Sequence, residues 1–93
     1  MGMLEATFDS EALAWYVAVS GESVDQTVPV SANVFVDLDA DGNPVGMEVV
    51  GVDSPQSVVM CEGVSLALQL YAFPAEAREL ILRGAEPTAS LGG

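Results

Sequence analysis

Two strand-like segments separated by a short turn constrain the fold of this 93-residue chain more than any other feature. Residues Asn33–Asp39 and Val45–Val52 are rich in β-branched residues, which are typical of strands. Gly42 and Asn43 in the connection tolerate the positive φ that a tight antiparallel turn requires. The period of two gives the first arm a shared face of Val34, Val36 and Leu38, and the second arm one of Met47 and Val49. The pattern predicts a β-hairpin.

Three more segments in the first half of the chain have strand character. Met3–Phe8 is short, Leu13–Ser20 is aromatic and β-branched, and Thr27–Val30 is a brief extended piece. Pro29 has no N–H to donate, so it confines the last piece to a sheet edge. Alternation in the second segment predicts one face with Leu13, Trp15, Val17 and Val19, and the opposite face with Ala14, Tyr16 and Ala18.

After Asp53 the sequence signals change from strand to helix. Ser54 resembles an N-cap and Pro55 a first-turn proline. The following stretch, Gln56–Glu62, fits a helix, but its run of three apolar residues fits a strand equally well. The sequence leaves both alternatives open for this segment.

Two helices are predicted for the last third of the chain. Val64–Phe73 is apolar around most of its circumference, with Ser65 and Gln69 forming a thin polar stripe. Ala75–Arg83 has acidic residues early and an arginine late, which suits the helix dipole, and Gly84 provides a stop. The second helix is therefore amphipathic, whereas the first needs cover on more than one side.

These elements predict an α+β domain, a small antiparallel sheet of about four N-terminal strands packed by C-terminal helices. A length of 93 residues and the absence of an internal repeat indicate a single domain over residues 1–86. Residues 3–52 are expected to be strands and residues 55–84 mainly helical. Residues 87–93 read as a flexible tail.

The charge of the chain is strongly one-sided. Fourteen acidic residues oppose two basic ones and no histidine, which gives a net charge of −12. Such a surface repels phosphate groups, so we expect neither nucleic acid nor an anionic membrane as a partner. A basic protein partner, divalent cations or simple solubility all fit the charge, and solubility is the simplest reading.

Cysteine content and hydrophobic runs indicate where such a chain works. Cys61 is the only cysteine, so no disulfide can form within the chain, and a reducing compartment fits. The N-terminal residues lack the basic start and apolar run of a signal peptide. No stretch reaches the roughly 20 apolar residues of a membrane span. We therefore expect a cytoplasmic protein.

The stretch Phe8–Val52 resembles a widespread family of very short prokaryotic proteins of unknown function. Its usual pattern is roughly Y-D-x-E-A-D-A-L-Y-I, then a hairpin ending in D-x-D-G-x-x-V-G-I-E-I-L. This chain reads F-D-S-E-A-L-A-W-Y-V over Phe8–Val17 and D-A-D-G-N-P-V-G-M-E-V-V over Asp39–Val50. It departs from the pattern at Phe8, Leu13 and Trp15. The resemblance implies a small sheet with a helical appendage, an accessory role beside other proteins, in some members toxin-like ones, and no known activity or cofactor.

An acidic motif in the hairpin matches the calcium-loop pattern D-x-D-x-D-G-x₅-E through Asp37, Asp39, Asp41 and Glu48. Those carboxylates and a main-chain carbonyl would suit a hard cation. An EF-hand loop lies between two helices, however, and both flanks here are strand-like. We expect Asp37 and Asp39 to point to solvent beside a turn and no tight calcium site. A weak divalent-metal-binding domain through Asp37–Glu48 is the alternative function.

No constellation of residues predicts an enzyme. Cys61 has no histidine anywhere in the chain to act as its base. Paired carboxylates such as Asp37 and Asp39 need a cleft that raises one pKa, and a chain this short has little room for one. We expect neither catalysis nor a cofactor.

Hydrophobic content instead indicates self-association. Hydrophobic residues make up 51% of a chain too short to bury them all. Trp15 and Tyr16 lie on opposite faces of one strand, so one packs under the helices and the other is free to anchor an interface. We expect a homodimer or larger, a non-enzymatic interaction module with an accessory or antitoxin-like role toward a basic protein. The candidate interface residues are Trp15, Tyr16, Leu66, Leu68, Leu70 and Phe73.

Overall fold

A computed structural model describes residues 4–83, and in it an antiparallel sheet carries helices on one face. The strands are β1 (Glu5–Asp9), β2 (Ala14–Ala18), β3 (Gln26–Pro29), β4 (Val34–Leu38) and β5 (Pro44–Val50). The helices are a 3₁₀ helix (Pro55–Met60), α1 (Glu62–Leu70) and α2 (Ala75–Leu82). The predicted α+β class is confirmed. The sheet has five strands rather than about four, because the Pro29 segment pairs with β4 over its full length.

The strands lie in the order β1-β2-β5-β4-β3, with every neighbouring pair antiparallel. This arrangement places β5 at the centre and leaves β1 and β3 at the edges. The edge position predicted for the segment with Pro29 is confirmed, since a proline inside the sheet would leave a ladder acceptor without its donor.

The predicted hairpin is the β4–β5 pair, and its turn is organised by Asp39. The Asp39 N–H donates to the Asn43 carbonyl at 2.9 Å, and the Gly42 N–H donates to the Asp39 carbonyl at 3.0 Å. Gly42 has φ of +83°, a left-handed conformation that glycine adopts without steric cost. The Asp39 carboxylate accepts the N–H groups of Asp41 and Asn43, each at 2.9 Å. This carboxylate stabilises the turn rather than simply pointing to solvent.

The core lies between the sheet and the helices. The alternation predicted for β2, β4 and β5 is confirmed there: Trp15, Val17, Val34, Val36, Met47 and Val49 are all fully buried. The helical side contributes Val58, Val64, Ala67, Leu68, Phe73, Ala77 and Ile81. Burial of apolar surface at about 25 cal/mol per Å² holds the two layers together.

Leu13 does not share the face of Trp15, so that part of the prediction is wrong. Leu13 precedes β2, has φ of +53°, and leaves 43% of its surface exposed. Its carbonyl accepts the N–H groups of Gly51 at 2.8 Å and Val52 at 3.2 Å. These two bonds tie the turn before β2 to the end of β5 and compensate for a conformation that costs an L-residue energy.

The segment after Asp53, left open by the sequence, is a 3₁₀ helix. Ser54 occupies the N-cap with an extended backbone, and Pro55 takes the first turn as predicted. The Ser54 side chain makes no capping hydrogen bond; it lies 3.0 Å from the hydroxyl of Ser57, which itself donates to Asp53. Only Val58 of this helix is buried.

Helix α1 begins and ends earlier than the predicted Val64–Phe73. It starts at Glu62 and stops at Leu70, after which Tyr71 is extended with ψ of 149°. The physical reason is Pro74: proline disfavours helical geometry in the preceding residue, Phe73, so the helix must end before it. Phe73 therefore enters the core from the connection between the helices.

Helix α2 follows Pro74, as predicted, and packs beside α1. The Arg78 guanidinium donates to the Leu68 carbonyl at 2.8 Å, which satisfies one of the free carbonyls at the end of α1. The predicted stop at Gly84 and the tail 87–93 lie outside the described residues. Within residues 4–83, no helix is long and apolar enough to cross a membrane.

Candidate functional site

The acidic hairpin does not gather its four carboxylates around one point. Asp37 lies in β4 and Glu48 in β5, whereas Asp39 and Asp41 belong to the turn. Over residues 4–83, no group of three or more histidine, cysteine, aspartate or glutamate side chains is placed to hold a metal ion. The calcium-loop pattern is spread along a hairpin instead of being wrapped between two helices.

Asp37 instead accepts two hydrogen bonds on the sheet face opposite the helices. The Tyr16 hydroxyl donates to Asp37 Oδ2 at 2.9 Å, and the Thr27 hydroxyl donates to Asp37 Oδ1 at 2.5 Å. These residues come from β2, β4 and β3, so the network links strands on both sides of β5. The expectation that Asp37 points to solvent misses this network, because its partners are distant in sequence.

Gly46 of β5 leaves the space through which the Tyr16 side chain extends to Asp37. A Cβ atom at Gly46 would lie 2.0 Å from the Tyr16 hydroxyl oxygen and 2.7 Å from Cζ, far inside van der Waals contact. The phenol ring therefore crosses β5 directly above a residue without a side chain. No side chain larger than hydrogen fits at this position while Tyr16 contacts Asp37.

The surroundings of Tyr16 raise the pKa of its hydroxyl to about 12. Partial burial is the largest cause, followed by the hydrogen bond to Asp37 and the negative charges of Asp37 and Glu48. The hydroxyl therefore stays protonated at neutral pH and acts as a donor. In this state the hydroxyl is the donor of the hydrogen bond that links β2 to Asp37 of β4.

The six candidate interface residues fall into two groups. Trp15, Leu68 and Phe73 are 0%, 6% and 5% exposed, so all three lie in the core of their own chain. Leu66 and Leu70 are 41% and 60% exposed. Tyr16, half-buried, lies on the opposite side of the sheet from the helices. Of the six candidates, a partner can therefore reach only Tyr16, Leu66 and Leu70. These three do not form one surface, because Tyr16 lies on the sheet face opposite the helices and the two leucines lie on α1.

Leu66 and Leu70 are one turn apart on α1, and we call them the α1 ridge. On the surface of α1 the ridge lies next to Gly63. This glycine packs so closely on the sheet that a Cβ atom there would lie 2.8 Å from Val34 Cγ2. The predicted polar stripe of Ser65 and Gln69 is exposed on the other flank, where it lines a small cavity beside α2. The exposed side of α1 is therefore half polar and half apolar.

A cavity of about 640 Å³ opens at the end of the sheet that carries the β4–β5 turn. Three carboxylates lie around it, those of Glu22, Asp39 and Glu76, and we call it the acidic groove. The rest of its lining is mainly apolar: Leu4, Val19, Pro44, Val45, Ala72, Pro74 and Ala77, with Ser20 and Asn43. No local sequence pattern predicts this groove, because segments far apart in the chain build it.

Cys61 lies between the 3₁₀ helix and α1 and is half-buried. Its thiol donates a weak hydrogen bond to the Ser57 carbonyl, with 3.6 Å between sulfur and oxygen. With no histidine in the chain, nothing beside this thiol can act as a catalytic base of the kind that cysteine proteases use.

Comparison with protein families matches residues 6–52 to a family model described as a protein of unknown function (DUF2283). Those residues contain the sheet from the second residue of β1 to the end of β5. Searches of curated proteins and of solved structures found no match. The family match agrees in extent with the resemblance over Phe8–Val52, and the helical layer lies beyond it.

Proposed function

Because this chain belongs to the DUF2283 family of proteins of unknown function, we propose a function from its surfaces: it is a non-enzymatic interaction module that self-associates through helix α1. The observation that supports this proposal is the α1 ridge, where Leu66 and Leu70 keep 41% and 60% of their surfaces exposed. Single exposed leucines are common, but two stacked one turn apart on a nine-residue helix form a contact stripe.

A second copy of the chain is the simplest cover for this stripe. Two α1 helices meeting antiparallel across a two-fold axis would place Leu66 of each copy against Leu70 of the other. Two-fold pairs are the commonest oligomers, and their interfaces use the same patch on both subunits. Gly63 and Ala67 keep the buried side of α1 thin, so the helix lies close to the sheet and the ridge forms its outer flank.

Charge opposes this association only weakly. The net charge of −12 repels a second copy, but exposed charges are screened beyond roughly 8–10 Å at physiological salt. The ridge itself carries no charge, and Glu62 lies one turn before Leu66. Burial of apolar surface at about 25 cal/mol per Å² then favours the dimer.

Substitution of the ridge tests the proposal. Leu66→Asp together with Leu70→Asp should convert the oligomer to a folded monomer of 9.6 kDa, measured by light scattering at micromolar concentration. The matched control is Met60→Asp with Leu82→Asp, which adds the same two charges at apolar side chains 81% and 61% exposed, and it should leave the oligomer intact. An oligomer that survives the double substitution places the interface elsewhere and refutes the proposal.

The second partner we propose is a basic protein, for which this chain acts as an accessory or antitoxin-like component in the cytoplasm. Fourteen acidic residues against two basic ones support that choice, since opposite charge speeds encounter and selects partners. We propose no catalytic role, since the Tyr16 hydroxyl is used in its hydrogen bond to Asp37 and the chain has no histidine to activate Cys61. No arrangement of the described carboxylates favours the metal-binding alternative.

A further inference from the structure

We infer that the acidic groove binds a short basic segment of a partner protein, one that presents aliphatic and cationic side chains together. This inference rests on the basic partner proposed above and names the site that would hold it, but it does not depend on self-association, because the groove and the α1 ridge have no residue in common. The two sites can therefore be tested separately.

The size of the groove suits a peptide segment. Its volume of about 640 Å³ lies within the roughly 300–1,000 Å³ of sites that hold small ligands. Its floor is built from Val19, Val45 and Ala77, which are already almost fully buried and so form a firm apolar base. A site of this size admits a few side chains rather than a whole secondary-structure element.

The charge around the groove defines what those side chains must be. Among residues 4–83, the carboxylates of Glu22 and Glu76 have no hydrogen-bond or ion-pair partner, and both side chains are exposed. Asp39 also lines the groove, and it accepts both turn amides with a single oxygen, Oδ1. Within the described part of the chain, no lysine or arginine lines the groove. Its lining thus offers negative charge with no cation of its own.

Lysine and arginine suit both the apolar floor of the groove and the carboxylates around it. Their methylene stems pack on apolar surface while their charged ends reach polar groups beyond it. A valine or leucine next to such a residue would fill the floor, and the cation would pair with Glu22 or Glu76. An acidic segment would instead meet like charge, so the groove distinguishes basic from acidic partners.

The probe is a fluorescein-labelled peptide of sequence L-K-V-R-L, with L-E-V-E-L for comparison, and binding is measured by fluorescence anisotropy. The basic peptide should bind saturably, and the acidic peptide should not. Glu22→Gln with Glu76→Gln should weaken binding of the basic peptide about tenfold. The matched control, Glu11→Gln with Glu79→Gln, removes the same charge away from the groove and should leave the affinity unchanged.

A second variant tests the cavity without changing charge. Ala72 lines the groove and is exposed, so Ala72→Trp should fill the space and abolish binding while thermal unfolding stays as in the parent. Equal weakening by both glutamine pairs would overturn the inference, since only the overall charge would then matter. Binding unaffected by Ala72→Trp, or no saturable binding by the parent protein, would overturn it as well.

Discussion

Gly46 is the described glycine at which an added Cβ atom would come closest to another side chain, that of Tyr16. A methyl group at Gly46 would lie 2.0 Å from the Tyr16 oxygen, so Gly46→Ala must displace the ring and break its bond to Asp37. We expect a loss of about 1–3 kcal/mol in the free energy of unfolding, measured in urea. Gly21→Ala is the control, because nothing lies within 4 Å of its added carbon and little change is expected.

A double-mutant cycle identifies the cause of that loss. In a Tyr16→Ala background the methyl group of Gly46→Ala meets no ring, so most of its cost should disappear. An equal cost in both backgrounds would show that the backbone of β5, rather than the tyrosine, requires glycine at this position.

The raised pKa of Tyr16 predicts that the free energy of unfolding falls at alkaline pH. Its pKa is raised from 10.0 to about 12 in the folded protein, so the folded state holds its proton after the unfolded state has lost it. The stabilisation is fully present below about pH 10 and is lost as pH rises to about 12. The free energy of unfolding should fall across that range in the parent and less steeply in Tyr16→Phe. Identical slopes would contradict the assignment.

Helix α1 has one side packed in the core and one side exposed to a partner. Leu68 is 6% exposed, so Leu68→Ala should cost about 2–5 kcal/mol of unfolding free energy. Leu66→Ala, on the same helix, should cost the folded monomer no more than about 0.5 kcal/mol. Urea unfolding at a concentration low enough to keep the chain monomeric measures both. Similar losses would mean that Leu66 is also packed within its own chain.

The hairpin element carries a prediction about calcium. Since Asp37 and Asp39 are already hydrogen-bonded within the protein, and Glu48 lies out on β5, a bound ion would have to rebuild the hairpin. Calorimetric titration should show no calcium binding tighter than roughly 10⁻⁴ M. Micromolar binding that disappears in Asp41→Asn with Glu48→Gln would contradict this and support the metal-binding alternative.

Elements with a local signal could be predicted from the sequence. The β4–β5 hairpin follows from its turn residues, the edge position of β3 from Pro29, and the start of α2 from Pro74. Alternation separated Trp15 from Tyr16 but could not say which of them the helices cover, because both faces of β2 are partly apolar. The helices cover the Trp15 face, and this outcome depends on tertiary packing.

Features that depend on distant residues could not be predicted. The bond from Tyr16 to Asp37 spans 21 positions and depends on Gly46 of a third strand. The conformation of Leu13 follows from its carbonyl bonds to the end of β5. The acidic groove exists only once the hairpin turn, the end of β2 and the start of α2 meet. Each is a consequence of tertiary contact rather than of local propensity.

Over residues 4–83 the molecule combines a sheet, which lies almost entirely within the family match, with a helical layer beyond that match. The match ends at residue 52, whereas the α1 ridge lies in the segment that follows. The groove uses both parts, since Ala72, Pro74 and Glu76 come from the helical segment. If both proposals are correct, the helical layer gives this chain its surfaces for a second copy and for a basic partner.

The measurement that tests self-association most directly is sedimentation equilibrium of the parent protein over a concentration series at physiological salt. The proposal predicts a weight-average mass that rises from 9.6 kDa at the lowest concentrations to twice that value or more at micromolar concentration. Leu66→Asp with Leu70→Asp should stay at 9.6 kDa throughout the series. A parent protein that also remains at 9.6 kDa at every concentration would contradict self-association through α1.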